Sequence, residues 1–173
     1  MFSLVSQTVW LVRCSVMRLT SKIRRVAEAA LGRKGQDGKA LQVGALPYRR
    51  VEDGSIEVLL VTTRGTGQWM VPKGWPMAGK TLPEAAAQEA WEEAGVRGAT
   101  DKRELGRFRH DKTSIIAGIT PCIVAVYLLA VEEEAAIWPE RRERTRTWFR
   151  LEDAVAKVQS RALAGVLAAA RGL

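Results

Sequence analysis

The stretch Gly74 to Val96, GWPMAGKTLPEAAAQEAWEEAGV, restricts what this chain can fold into more than any other segment. Thr81 is a good N-cap, Pro83 and Glu84 suit a first helical turn, and Gly95 is a natural stop, so a helix is predicted to run to about Ala94. At about 100° per residue, Glu89, Glu92 and Glu93 fall within an arc of roughly 100°, beside a stripe of Ala86, Ala90 and Ala94. The alanines allow the helix to sit close against a sheet while the carboxylates converge on one side. Three carboxylates held together repel and raise one another's pKa unless a cation neutralises them. Hard oxygen ligands of this kind suit Mg²⁺, with Mn²⁺ as an alternative. A solvated acidic face has the same pattern, and the helix alone does not separate the two.

Strand signals surround this helix. Leu41 to Arg50 is apolar and β-compatible, Val51-Glu52-Asp53-Gly54 is a turn signal, and Ile56 to Thr63 reads as a buried strand paired with it in a hairpin. Trp69-Met70-Val71 forms a short strand ending at Pro72, and Lys73 to Lys80 is a loop. Beyond Gly95, Glu104 to Arg109 and Cys122 to Val131 read as strands joined by a mobile loop, and Thr147 to Arg150 as a further short strand. Leu151 to Leu173 carries one long alanine- and leucine-rich helical pattern. Strands interleaved with two substantial helices indicate an α/β or α+β sandwich.

The chain has 173 residues, which suits one domain with a short extension. Residues 1–40 carry eight Lys and Arg against Glu28 and Asp37, whereas residues 41–173 are close to charge balance. The formal charge of +8 therefore resides mainly in a basic N-terminal extension and linker, 1–39, ahead of a domain spanning 40–173. No nucleic-acid partner is expected from that tail. Ser21 to Leu31 has helical apolar spacing, which admits a weak membrane-surface contact as well as a short packed helix. No run of about 18 uncharged apolar residues exists, so no transmembrane helix is expected. The apolar start lacks a basic n-region, and Met17 opens a more ordinary beginning. Cys14 and Cys122 lie far apart and form no CxxC pair, which fits a reducing, cytoplasmic location.

The glycine loop, the glutamates and the terminal glycine together resemble the Nudix box, G-x5-E-x7-R-E-U-x-E-E-x-G-U, where U is aliphatic. Gly74, Glu89, Glu92, Glu93, Gly95 and Val96 occupy their motif positions and Ala90 is a small U. Lys80 stands where the motif has Glu, and Gln88 where it has Arg. The similarity covers about residues 41–170. It implies a Nudix-type α/β/α sandwich with a mixed sheet between helices, and a metal-dependent hydrolase of pyrophosphate bonds. By that resemblance Glu89, Glu92 and Glu93 are the catalytic metal ligands, and the Lys73 carbonyl completes the site. The resemblance also implies that the motif Arg fixes a box glutamate. Gln88 can do so only as a neutral donor, which loses on the order of 1–2 kcal/mol of charge assistance.

Within the family, Glu57-Val58-Leu59-Leu60-Val61 with Arg64, Trp69-Met70-Val71-Pro72, and Arg146 to Ala154 (RTWFRLEDA) resemble the diphosphoinositol polyphosphate hydrolases. Pro72-Lys73-Gly74 is similar to the dinucleoside polyphosphate enzymes. A small-molecule polyphosphate substrate is thus implied, with Arg64, Lys73, Gly74, Lys80 and Arg146 as candidate contacts. Arg49, Arg50, Arg109 and Lys112 are further candidate cations, each more simply read as a solvated surface charge. His110 admits a substrate contact, Asp111 or Glu132 to Glu134 an extra metal ligand or base, and Trp75, Trp91 and Trp138 stacking on a nucleobase, but each reads more simply as a surface or core residue. A nucleotide-binding regulatory module without efficient turnover is the rival function, favoured by Gln88 and Lys80. A monomer or homodimer is expected.

Overall fold

Continuous apolar runs along three neighbouring strands force one sheet to bury both faces. In the computed structural model, which describes residues 39–114 and 118–173, this is the organising feature. The basic extension up to residue 38, with Cys14, Met17 and the Ser21–Leu31 segment, lies outside the described residues. So do residues 115–117 and the side chains of 112–118, including that of Lys112.

β1 (Ala40–Arg50) and β2 (Ile56–Thr62) form the expected hairpin, but they pair only near the turn, from Tyr48↔Val58 to Arg50↔Ile56. The turn is locally determined: Gly54 has φ 79°, and Asp53 Oδ1 accepts from the Ser55 amide at 2.9 Å. Beyond the turn the strands splay, and the segment containing β3 (Trp69–Met70) and β4 (Lys73–Gly74) wedges between them. β3 pairs with β2, β4 pairs with β1, and the Ala45 amide donates to the Pro72 carbonyl at 3.0 Å. Gly44 permits this wedge, because a Cβ there would crowd the Pro72 oxygen and the Val71 and Val124 side chains at 3.2–3.3 Å.

β5 (Val96–Ser114) and β6 (Gly118–Glu134) form a long antiparallel hairpin, and β6 runs parallel to β1 from Ala40↔Cys122 to Tyr48↔Ala130. β7 (Arg146–Arg150) pairs antiparallel with β2. The sheet is therefore mixed. Both strands of the β5/β6 hairpin outrun the sequence reading. β5 starts directly after Gly95, and strand pairing continues into the segment expected to be a loop, to Ser114↔Gly118. Register shifts near Gly98 and between Thr100 and Gly106 interrupt the alternation, which is why the N-terminal half of β5 gives no strand pattern.

α1 (Leu82–Ala94) covers one face of the sheet, while α2 (Leu151–Lys157) and α3 (Arg161–Ala168) cover the other. The expected single C-terminal helix is broken at Val158–Ser160. Val158 is extended, and the Ser160 hydroxyl caps α3 by accepting from the Leu163 amide at 3.2 Å. Under α2 and α3, Leu46, Val58, Leu60, Phe108, Val124 and Val126 meet Leu151, Leu163, Val166 and Leu167. Under α1, Val43, Ala45, Leu59, Val61, Ala125, Tyr127 and Leu129 meet Ala85, Ala86, Ala90 and Ala94. The residues 58, 60 and 59, 61 divide by parity between the two faces, as a buried strand requires. The fold is an α/β/α sandwich. Among the described residues no helix is long and apolar enough to cross a membrane.

Candidate active site

Residues 89, 92 and 93 are neighbours on a helix surface because three- and four-residue spacings return to one side. The helix that presents them is specified at both ends. The Thr81 side chain accepts from the Glu84 amide, Glu84 accepts from the Thr81 amide at 2.7 Å, and Gly95 terminates the helix at φ 67°. Buried alanines bring α1 close to the sheet, and this lays the glutamates on the β4 backbone. Glu89 is 8% exposed and Glu93 5%, while Glu92 is half-buried. A Cβ at Gly74 would overlap the Glu89 carboxylate, so glycine is required there for the carboxylate to pack on the chain. Beside it, Glu93 Oε2 accepts from the Lys73 amide at 3.1 Å. Lys73 and Gly74 thus form a cradle shared by two of the three glutamates.

Burial pushes the Glu93 carboxyl above the usual carboxylate range, against the opposing attraction of Arg144 and Lys73. Burial likewise pulls the Lys73 ammonium below its ordinary value, with Glu93 opposing. Glu93 and Lys73 are thus both shifted chiefly by their burial, each partly offset by the other's charge. Glu92 is fixed from its own helix, where Gln88 Nε2 donates to Glu92 Oε1 at 3.0 Å.

The connection between β6 and β7 closes the C-terminal end of α1. Its last carbonyls, which a helix leaves without internal partners, receive the Glu140 amide at Glu92 (3.1 Å), Trp138 Nε1 at Glu93 (3.2 Å) and Arg146 Nη1 at Ala94 (2.6 Å). Gly95 has no room for a side chain under Trp138 and Arg146. The same connection contributes Arg144, which donates to Glu93 Oε1, Glu140 and the Thr62 carbonyl.

A model of the NUDIX domain matches residues 39–169, with every one of these glutamates inside it. The chain belongs to the Nudix hydrolase family. It is 38% identical over 137 residues to Nudix hydrolase 16, mitochondrial, of Arabidopsis thaliana, covering 72% of this chain and 76% of that protein. Diphosphoinositol polyphosphate phosphohydrolase 2 of Rattus norvegicus is 37% identical over 106 residues, covering 60% and 55%. Among solved structures, a binary complex of a C. elegans Ap4A hydrolase superposes with a TM-score of 0.57 at 21% identity, covering 76% of this chain and 95% of that one. Like these relatives, the chain is a hydrolase of the Nudix type.

The structure distributes the candidate residues of this Nudix chain unevenly. Glu89, Glu93, Lys73 and Gly74 are brought together, and Glu92 adjoins them through the same helix. Lys80 is exposed in the turn before the helix cap, next to Glu84. Arg64 is held by ion pairs to Glu140 (2.5 Å) and Glu143 (2.6 Å). Arg146 serves the end of α1: it stacks 3.9 Å over Trp138, pairs with Glu134 at 2.8 Å and donates to Ala135. Arg49 pairs with Glu57 and stacks on Trp148, and Trp91 lies under Arg97. Arg109 and Asp111 line an open cleft of about 230 Å³ with Lys39, Pro121 and Cys122.

Sequence reading did not single out Arg144 or Glu140. They sit in Pro139-Glu140-Arg141-Arg142-Glu143-Arg144, whose charge density reads as solvated surface. The only local signal was the proximity of Arg144 to the Arg146-Thr147-Trp148 strand start.

Proposed function

We propose that this Nudix hydrolase cleaves a phosphoanhydride bond in a diphosphoinositol polyphosphate or a dinucleoside polyphosphate. It would do so with Mg²⁺, or Mn²⁺, held by Glu89, Glu92, Glu93 and the Lys73 carbonyl. The observation that carries this reading is the cradle at Lys73–Gly74, where two buried carboxylates pack on one stretch of backbone, Glu89 against Gly74 and Glu93 on the Lys73 amide. A hard divalent cation fits that donor set. Among the described residues no three His, Cys, Asp or Glu side chains form a ready-made cage. The rest of the shell would come from backbone, substrate phosphate and water, which is the mode Mg²⁺ favours.

When bound, the metal supplies charge to the developing transition state and makes water a better nucleophile. The protein's own contribution is placement. The β4 backbone and Gln88 orient the carboxylates, and α1 keeps them at the sheet. Arg109, a planar fork lining the cleft with Lys39, is one further candidate for phosphate contact beside Arg64, Lys73, Gly74, Lys80 and Arg146. The names of the rat and C. elegans relatives support the two substrate classes. The buried Cys122, whose thiol donates to the Thr120 carbonyl, suits a reducing cytosol.

A panel of diphosphoinositol polyphosphates, dinucleoside polyphosphates and nucleoside diphosphate sugars, assayed with and without Mg²⁺, tests this directly. Release of phosphate or nucleotide from the first two classes, abolished by chelator, is expected. Preference for nucleoside diphosphate sugars would overturn the substrate assignment, and turnover insensitive to chelator would overturn the metal assignment.

A further inference from the structure

The geometry points to Arg144 as the positioning residue for Glu93, supplying from the β6–β7 connection the guanidinium that α1 lacks at Gln88. This inference rests on the metal site proposed above and adds to it a residue outside the helix. Arg144 is only 10% exposed, and each of its three nitrogens has a fixed partner in a different part of the fold. Nη2 donates to Glu93 Oε1, Nη1 to the Thr62 carbonyl at the end of β2 (2.9 Å), and Nε to Glu140 Oε2 (2.8 Å).

Glu140, 5% exposed, is the buried counter-charge that holds this guanidinium in place. It is paired in turn by Arg64, which also meets Glu143 at the surface. Charges therefore alternate from Glu93 through Arg144, Glu140 and Arg64 to Glu143. A rigid planar fork locked at all three corners defines the plane and rotation of the carboxylate it touches. With the Lys73 amide on Oε2 and Arg144 on Oε1, each oxygen of Glu93 still has a second lone-pair direction for a cation. Gln88 donates to Glu92. Glu92 and Glu93 are thus fixed from separate sources, one neutral and intrahelical, the other charged and from across the fold.

Removing Arg144 has two opposed consequences for a bound cation. Lost orientation weakens binding, whereas lost repulsion strengthens it. Outer-shell partners that orient metal ligands typically contribute roughly 10- to 100-fold in affinity, so orientation is expected to win.

The test is Mn²⁺ binding to the full chain, without substrate, followed by electron paramagnetic resonance. Arg144→Ala and Arg144→Lys are compared with wild type and combined with Glu93→Gln and Glu92→Gln, at temperatures where circular dichroism shows each variant folded. Arg144→Ala is expected to weaken Mn²⁺ binding roughly 10- to 100-fold, and Arg144→Lys by less, since an ammonium keeps the charge without the fork. In the Glu93→Gln background the Arg144 effect should vanish, while in Glu92→Gln it should persist. Unchanged or tighter binding by Arg144→Ala, or an equal loss in both glutamine backgrounds, overturns the inference. If Arg144→Ala does not fold, Arg144→Lys decides it by the same two backgrounds. No Mn²⁺ binding by wild type would instead sink the metal site itself.

Discussion

On the sheet face covered by α2 and α3, large side chains interlock: Leu163, Val166 and Leu167 against Leu46, Leu60, Phe108 and Val126. On the opposite face, α1 offers Ala85, Ala86, Ala90 and Ala94, and two carboxylates are buried at its edge. Each large apolar side chain on the first face contributes about 1.5–3 kcal/mol on burial, whereas alanines contribute far less. What the alanines provide is proximity. A leucine row on α1 would hold the helix off the sheet and lift Glu89 and Glu93 from the Lys73–Gly74 backbone. The first face stabilises the fold, and the second gives up apolar area to hold charge near a backbone edge. Stability and chemistry are divided between the two sides of one sheet.

That division can be broken experimentally. The largest effect is expected from Glu92→Gln, which removes a carboxylate proposed above to hold the metal. kcat/KM should fall on the order of 10³-fold in phosphate-release assays while the melting temperature stays near wild type. Leu163→Ala on the other face should do the reverse. It is expected to cost about 2–5 kcal/mol in urea unfolding and to leave kcat/KM unchanged at temperatures where the protein is folded. A large activity loss in folded Leu163→Ala would erase the distinction between faces.

Ala90→Val sharpens the comparison, because overpacking beneath α1 should lower stability by about 1–3 kcal/mol and activity together. The smallest effect is expected far from either face, at Asp53. Hydrogen bonds from Ser55 and Arg150 lower its pKa from 3.8 to about 2. Its contribution is therefore present above the unfolded value near 3.8 and is lost as pH falls through about 2. In stability curves measured between pH 5 and 2, Asp53→Ala should show a shallower loss than wild type, with activity at neutral pH unaltered.

The helix was legible in the sequence because its boundaries are local: the Thr81–Glu84 capping box and left-handed Gly95 depend on adjacent residues alone. The hairpin turn at Asp53–Gly54 is legible for the same reason. The wedge of β3 and β4 between β1 and β2 was not, since two-residue strands leave no periodicity and their partners are remote. β5 was half-hidden by its register shifts. The break at Val158–Ser160 was masked by alanine and leucine on both sides, although Ser160 carries the cap. At the site, the glutamates were readable from helical spacing and from the Nudix box. Arg144 was not, because its role comes from Thr62, Glu93 and Glu140 meeting in space, and only its place two residues before the β7 start separates it from the exposed Arg141 and Arg142.

The most direct measurement is kcat/KM for Mg²⁺-dependent polyphosphate hydrolysis by wild type, Glu92→Gln and Leu163→Ala, each normalised to its folded fraction. A loss of on the order of 10³-fold in Glu92→Gln, with Leu163→Ala near wild type, is the expected result. Turnover by Glu92→Gln within a few-fold of wild type at saturating Mg²⁺ would contradict the assignment of catalysis to the glutamates of α1.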